Sequence, residues 1–363
     1  MNRFFNGSYP DLLKRMDDHL VRTREHFAAL PEGKIESLIL GGGYGRGEGG
    51  VYLGGSEPAL YNDLDYFLFT TQPEDPELLS SVRELERVES LALGIDVEVT
   101  CLRPEKLQGA EQSMMFFDLV MGHFVVMGPE DYLAEWASKM SPELIEPIEA
   151  TRLLWNRGSG LFFARCQLDD VDARGFIYRQ HMKLSLALGD ALLCMAGQHD
   201  AFCEVRGARF AQLDPPLASE EMRELHAAGV AFKQRPCNPP QDMDLNVENE
   251  RLRRLWIKAF LSVESQRVGC EFRDVTAYAV WSGRLFSHEG RLRCLLLALR
   301  DRLKRGSALR PVADYPRGAL MRALTLLNSS SPDMKLVRKF IPIEKTDLKA
   351  ISAIYETWWS YYS

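Results

Sequence analysis

Two aspartates interrupt a stretch that otherwise belongs in a protein interior: YNDLDYFLFT, Tyr61 to Thr70. Read as a strand, the stretch turns alternate side chains to opposite faces. Asp63 and Asp65 then point the same way, with Cα atoms roughly 6.5–7 Å apart. Two like charges on one face of an apolar strand repel each other and are poorly solvated, so a fold must supply something to offset them. A divalent cation does this, because Mg²⁺ takes oxygen ligands from neighbouring carboxylates and brings waters and substrate phosphates with it. GIDVEVTCL, Gly94 to Leu102, alternates with period two and repeats the pattern, with Asp96 and Glu98 sharing a face among Ile95, Val97 and Val99. Carboxylates on two neighbouring strands can hold two metal ions about 3.5–4 Å apart, an arrangement that activates a hydroxyl and stabilises a leaving pyrophosphate.

The other elements follow from periodicity and punctuation. A helix is expected from Pro10 to Leu30, stopped by Pro31 and Gly33, and SLILGGG, Ser37 to Gly43, reads as a short strand entering a glycine turn. EDPELLSSVRELERVESLAL is an amphipathic helix, and HFVVMG, His123 to Gly128, is a fourth strand placed at an edge. Beyond Pro142 the strand signals fade. Helices are expected around 143–167, 174–196, 217–232, 247–267, 288–305, 316–328 and 345–361, with Pro236, Pro239 and Pro240 dividing them. The expected fold class is α+β: a mixed sheet flanked by helices, followed by a mainly α-helical C-terminal domain. The boundary is expected near residue 140, giving domains 1–140 and 141–363.

GGGYGRGEGG, Gly41 to Gly50, follows the first strand. Glycines there let backbone N–H groups approach phosphates without a Cβ in the way. The loop satisfies G-x-G-x-x-G at Gly45, Gly47 and Gly50, but no helix follows, so a dinucleotide-binding reading fails, and a Walker loop fails for want of Gly-Lys-Ser/Thr. Gly42-Gly43-Tyr44-Gly45-Arg46-Gly47-Glu48, then Asp63-Leu64-Asp65, then a strand carrying Glu98, resembles the polymerase-beta-like nucleotidyltransferase superfamily, most closely its small-molecule, aminoglycoside-type branch. The resemblance covers about residues 35–130. Two departures stand out: Gly43 occupies a position where many members have Ser, and VYLGGSEPALY lengthens the stretch before Asp63.

The resemblance implies a catalytic module at 1–140 and a helical, substrate-shaping domain at 141–363. It implies that Gly42 and Gly43 cradle the phosphates of ATP or another NTP. Asp63, Asp65 and Glu98 would ligate two Mg²⁺ ions, with Mn²⁺ as the alternative, and Glu98 would help deprotonate the acceptor. Asp96 is the rival for the third carboxylate. Tyr44 and Arg46 are candidate nucleotide contacts, against a structural tyrosine and an Arg46–Glu48 pair that ties down the loop. Lys183, seven residues from Asp190 in the apolar run 176–198, is the candidate for the triphosphate, with Arg152 and Arg157 behind it; snorkelling of Lys183 to solvent is the plain alternative. The implied reaction moves a nucleoside monophosphate, AMP first, to a hydroxyl of a small molecule. A protein, tRNA or second-nucleotide acceptor, and a catalytically idle nucleotide-binding module, are the alternatives.

Composition narrows the partners. A net charge of -7 opposes a wide nucleic-acid footprint, which needs clustered Lys and Arg. Seven cysteines without a C-x-x-C pair, and dispersed histidines, argue against a zinc site and for a reducing compartment. With no apolar signal core and no run of about 20 apolar residues, a cytoplasmic protein with no membrane partner is expected. The basic run 291–305 is expected to be an amphipathic helix with a solvated face, and TWWSYY, Thr357 to Tyr362, a core or docking plug.

Overall fold

The computed structural model describes residues 3–108, 113–214, 218–344 and 347–362. In chain order, α1 (Pro10–Ala28) is followed by β1 (Ser37–Leu40), the single helical turn α2 (Gly42–Gly45), β2 (Val51–Tyr52), β3 (Ala59–Leu60) and β4 (Leu64–Phe69). Then come α3 (Pro76–Leu93), β5 (Val97–Leu102), α4 (Met114–Met121), β6 (Phe124–Met127) and α5 (Ala134–Ala137). The remaining helices are α6 (Pro147–Arg165), α7 (Arg174–Met195), α8 (Cys203–Gln212), α9 (Glu220–Gln234), α10 (Leu245–Val268), α11 (Val275–Val280), α12 (Arg291–Arg305), α13 (Pro316–Leu327), α14 (Met334–Val337) and α15 (Leu348–Tyr362). The fold is α+β, a four-stranded mixed sheet with helices followed by a helical C-terminal region.

Local chemistry sets the ends of these elements. Pro10 opens α1, where its missing N–H leaves no helical bond unmade. The Asp75 carboxylate accepts from the Leu78 N–H to cap α3, which ends at left-handed Gly94, φ 72. Strand order is β5-β4-β1-β6, with β4 parallel to β5 and β1 antiparallel to both β4 and β6. VYLGGSEPALY is not a plain loop, because its ends pair as the β2–β3 hairpin.

Alternation divides the sheet residues between two cores. Leu38, Leu40, Leu64, Tyr66, Leu68, Val97 and Val99 pack with the apolar stripes of α1 and α3. Ile39, Phe67 and Phe69 pack with Leu119, Val120 and Leu133 on the other side. The first core contains a polar chain: the Tyr66 hydroxyl lies 2.7 Å from His19 Nε2, and His19 Nδ1 lies 2.7 Å from a Glu89 oxygen. Arg22 donates to both Glu89 oxygens.

The chain forms two compact units. The first is 1–149 with 196–219 and 226–238; the second is 150–195 with 220–225 and 239–363. Two later segments therefore return to the first unit, a pattern that a single expected cut at residue 140 does not contain. Helical periodicity marks where helices run but carries no sign of which core receives their apolar faces. In the second unit α13 is buried all round, and Arg322 on it donates to the carbonyls of Ala279, Trp281 and Gly283. Of TWWSYY on α15, Trp358 and Tyr362 are buried, while Thr357, Ser360 and Tyr361 are exposed. On α12 the solvated face is the reverse of an ordinary amphipathic helix: Leu292, Leu295, Leu296, Leu299 and Leu303 are exposed. No helix among the described residues is long and apolar enough to cross a membrane.

Candidate active site

The site begins where β1 ends. The Gly41 N–H donates to the Asp65 carbonyl at 2.8 Å, which folds the glycine turn onto the head of β4. Gly42 has φ +60, and a Cβ there would stand 2.3 Å from Asp65 Oδ2. A side chain at Gly42 would thus meet both a strained backbone and a carboxylate. The Glu48 N–H donates to the Gly43 carbonyl at 2.8 Å and closes the loop. The sequence suggests that glycine here clears space for phosphate; at Gly42 the cleared space holds the Asp65 carboxylate.

Asp63 is exposed and immediately precedes β4, while Asp65 is its second residue and half-buried. The parallel register sets Asp65 opposite Glu98, and the Leu64 N–H donates to the Asp96 carbonyl at 2.9 Å. Burial first, and then the charges of Asp63 and Glu98, push the Asp65 carboxyl up to about 7, against the pull of Arg46. Burial also raises the Glu98 carboxyl, with Asp63, Asp96 and Glu86 adding to the shift. Burial is thus the larger cause at both groups, and the neighbouring acids add to it. Even so, among the described residues no three His, Cys, Asp or Glu side chains converge as a ready-made ion cage. Mg²⁺ does not require one, since it binds through one or two carboxylates together with phosphates and water. The donor set therefore fits an ion that arrives with a nucleotide.

No family model matches the chain, and no curated protein does. Among solved structures, a nucleotidyltransferase-like protein from Exiguobacterium sibiricum 255-15 matches at 14% identity over 80% of this chain and 92% of that one, with a TM-score of 0.24.

Two expected nucleotide contacts are turned inward. Tyr44 is 1% exposed; its hydroxyl donates to the Gly50 carbonyl at 2.8 Å and accepts from the Tyr61 N–H at 3.1 Å. Burial pushes its phenol up to about 12. It props the loop and has no face open to a base. Arg46 is likewise enclosed, its guanidinium 3.7 Å from Glu48 and 3.9 Å from Asp118. Its stem runs past Gly122, where a Cβ would sit 2.5 Å from Arg46 Cγ. The charge of Arg46 reaches the acids, pulling the Asp65 carboxyl downward. Lys183 is half-buried and Asp190 buried on α7, and Arg152 and Arg157 lie on α6; all belong to the second unit.

The returning segments add groups that sequence reasoning missed. Glu48 accepts from the Cys203 N–H at 2.8 Å, at the start of α8, and lies 3.9 Å from Lys233. Asp118 on α4 lies 2.9 Å from His199 Nε2. Burial alone would raise the Asp118 carboxyl, but the His199 bond, Arg46 and Arg206 hold it below the usual range. Burial, and then Arg206, lower the Lys233 ammonium. Glu48 was visible in Arg-Gly-Glu, yet its partners arrive some 150 residues later, as the Cys203 bond shows, with no motif to announce them.

Proposed function

We propose that this chain is a Mg²⁺-dependent nucleotidyltransferase that moves a nucleoside monophosphate, AMP as first candidate, from an NTP to a hydroxyl of a small-molecule acceptor. One observation carries the reading: Asp65 and Glu98 stand in register on adjacent strands, with Asp63 at the strand's head and a glycine turn folded against Asp65. A carboxyl held near 7 by burial and neighbouring acids is a group waiting for positive charge. Asp63, Asp65 and Glu98 would hold the ion, which when bound offsets the charge of the triphosphate and of departing pyrophosphate. Register favours Glu98 over Asp96 as the third carboxylate. Glu98 takes the acceptor's proton as its oxygen attacks the α-phosphorus, and the bond to the β-phosphate breaks with its electron pair leaving on pyrophosphate. The backbone of Gly42 and Gly43 steadies the phosphate tail. The overall charge of -7 suits a cationic or neutral acceptor.

Incubation with each labelled NTP, Mg²⁺ and a panel of hydroxyl acceptors, following pyrophosphate release, tests the reading. Acceptor-dependent release that Asp65→Asn abolishes supports it. The absence of a converged three-ligand cage favours a second reading, an idle nucleotide-binding module. Mg²⁺-dependent nucleotide binding with no release against any acceptor would decide for that alternative.

A further inference from the structure

We propose that the outward face of α12 docks on an anionic phospholipid surface. Leu292, Leu295, Leu296, Leu299 and Leu303 recur at helical spacing on one arc of α12 and are 48% to 79% exposed. Their combined open surface is on the order of 500 Å², at the upper end of what a monomer leaves uncovered. α12 carries six cations (Arg291, Arg293, Arg300, Arg302, Lys304 and Arg305) against one acid, Asp301, in a chain whose net charge is -7. Asp301 is buried and taken up by Arg300 and Tyr362. By helical spacing Arg291, Arg293, Arg300, Arg302 and Lys304 fall on the shoulders of the leucine arc, while Arg305 turns back over the Trp358 and Tyr361 rings. This is the pattern of a helix lying in a membrane interface with leucines among acyl chains and cations at headgroup level. Cys294 and Ala298 are buried on the opposite side, so the helix is held with its leucines outward.

The neighbouring loops extend the same chemistry. A cavity of about 880 Å³ opens beside α12, with Leu295 and Leu299 on one wall, Phe340 and Ile341 in its lining, and Arg302, Arg310, Arg338 and Lys339 around it. Such a cavity suits a phosphate headgroup whose chains lie along the leucines. Leu292, Leu296 and Leu303 do not line it, so an occupant confined to the cavity would leave them bare, whereas an extended surface covers all five. Two copies of the chain pairing through α12 would set cations beside cations, with the sole acid of the helix already engaged. The proposed contact is peripheral, because only one face of α12 carries the exposed leucines. It departs from the expectation of no membrane partner, which weighed apolar length and not the direction of an amphipathic face.

Sedimentation of the full chain with vesicles of phosphatidylcholine, alone or mixed with phosphatidylglycerol, tests this. Binding to the mixed vesicles is expected to be at least about tenfold tighter and to weaken with added salt. A variant combining Leu296→Gln, Leu299→Gln and Leu303→Gln changes only exposed positions, so it should keep its circular dichroism and melting while losing about tenfold in binding. Arg338→Gln with Lys339→Gln should weaken binding several-fold and flatten the salt dependence. Equal sedimentation with both vesicle types, or undiminished binding by the leucine variant, overturns the proposal. So does a solution dimer that the leucine variant converts to monomer, or binding of an acidic, leucine-striped helical peptide in the absence of any vesicle binding.

Discussion

Asp65 and Tyr66 are neighbours in β4, yet they look into opposite sides of the sheet and opposite electrostatic conditions. Behind the sheet, Tyr66, His19, Glu89 and Arg22 form a chain in which each charge or polar hydrogen meets a partner. Burial would raise the Glu89 carboxyl, but Arg22 and His19 hold it below the usual range. In front, Asp65 sits among Asp63 and Glu98, and burial drives it up to about 7. Both are carboxylates in one small domain. The paired one completes a structure, whereas the unpaired one stores a charge conflict that a ligand can relieve. The two carboxylates differ in whether their charges are answered from within.

The sharpest way to test that contrast is Asp65→Asn. It should lower pyrophosphate release by at least about a thousandfold, or about 4 kcal/mol of barrier, without lowering the melting temperature. A variant that melts early would place Asp65 among the structural groups instead. Glu89→Ala is the mirror experiment. It strands His19 and Arg22, and should remove about 3 kcal/mol in chemical denaturation, with turnover retained in the folded fraction. Gly42→Ala joins the two regimes. The left-handed backbone and the 2.3 Å approach to Asp65 predict a loss of about 1–2 kcal/mol of stability, and a fall in turnover larger than that loss explains.

The smallest effect is in pH. A carboxyl raised in the folded state is favourably protonated there, so ionising it weakens the fold. The cost is absent below the unfolded value of 3.8 and grows until pH passes about 7. The shift sets a ceiling of about 4 kcal/mol, and solvent reaching the half-buried carboxylate brings the expected effect to the order of 1 kcal/mol. Metal-free wild type should therefore lose stability relative to Asp65→Asn between pH 4 and pH 7, in denaturation midpoints read side by side. Parallel curves would remove Asp65 from the account.

The four strands of the main sheet and the long helices were legible because their signals are local, whereas the two-residue strands β2 and β3 were not. Pro76 and Gly94 bracket α3, and the alternation of Val97, Glu98 and Val99 needs only neighbours to be read. The acids could be found in the same way, as charges in an apolar strand. For Tyr44 and Arg46 the sequence left a ligand contact and a structural role both open, because loop residues next to glycine look available; the packed loop encloses the ring and sets the guanidinium near Glu48. Asp118, His199 and Lys233 were invisible for a topological reason. They meet Arg46 and Glu48 from elements separated by long stretches of chain, and no spacing rule reaches that far. The single-turn α2 and the helices α4 and α8 were also missed, being too short for periodicity to speak.

The bond from the Cys203 N–H to Glu48 has a consequence for biogenesis. A ribosome releasing the first half of this chain exposes a sheet whose glycine loop still lacks the residues that brace it, and the wait lasts until position 238 has emerged. The unit that carries the acids therefore closes only after about two thirds of the chain has been made, and a fragment cut after the sheet would leave Glu48 without the Cys203 N–H.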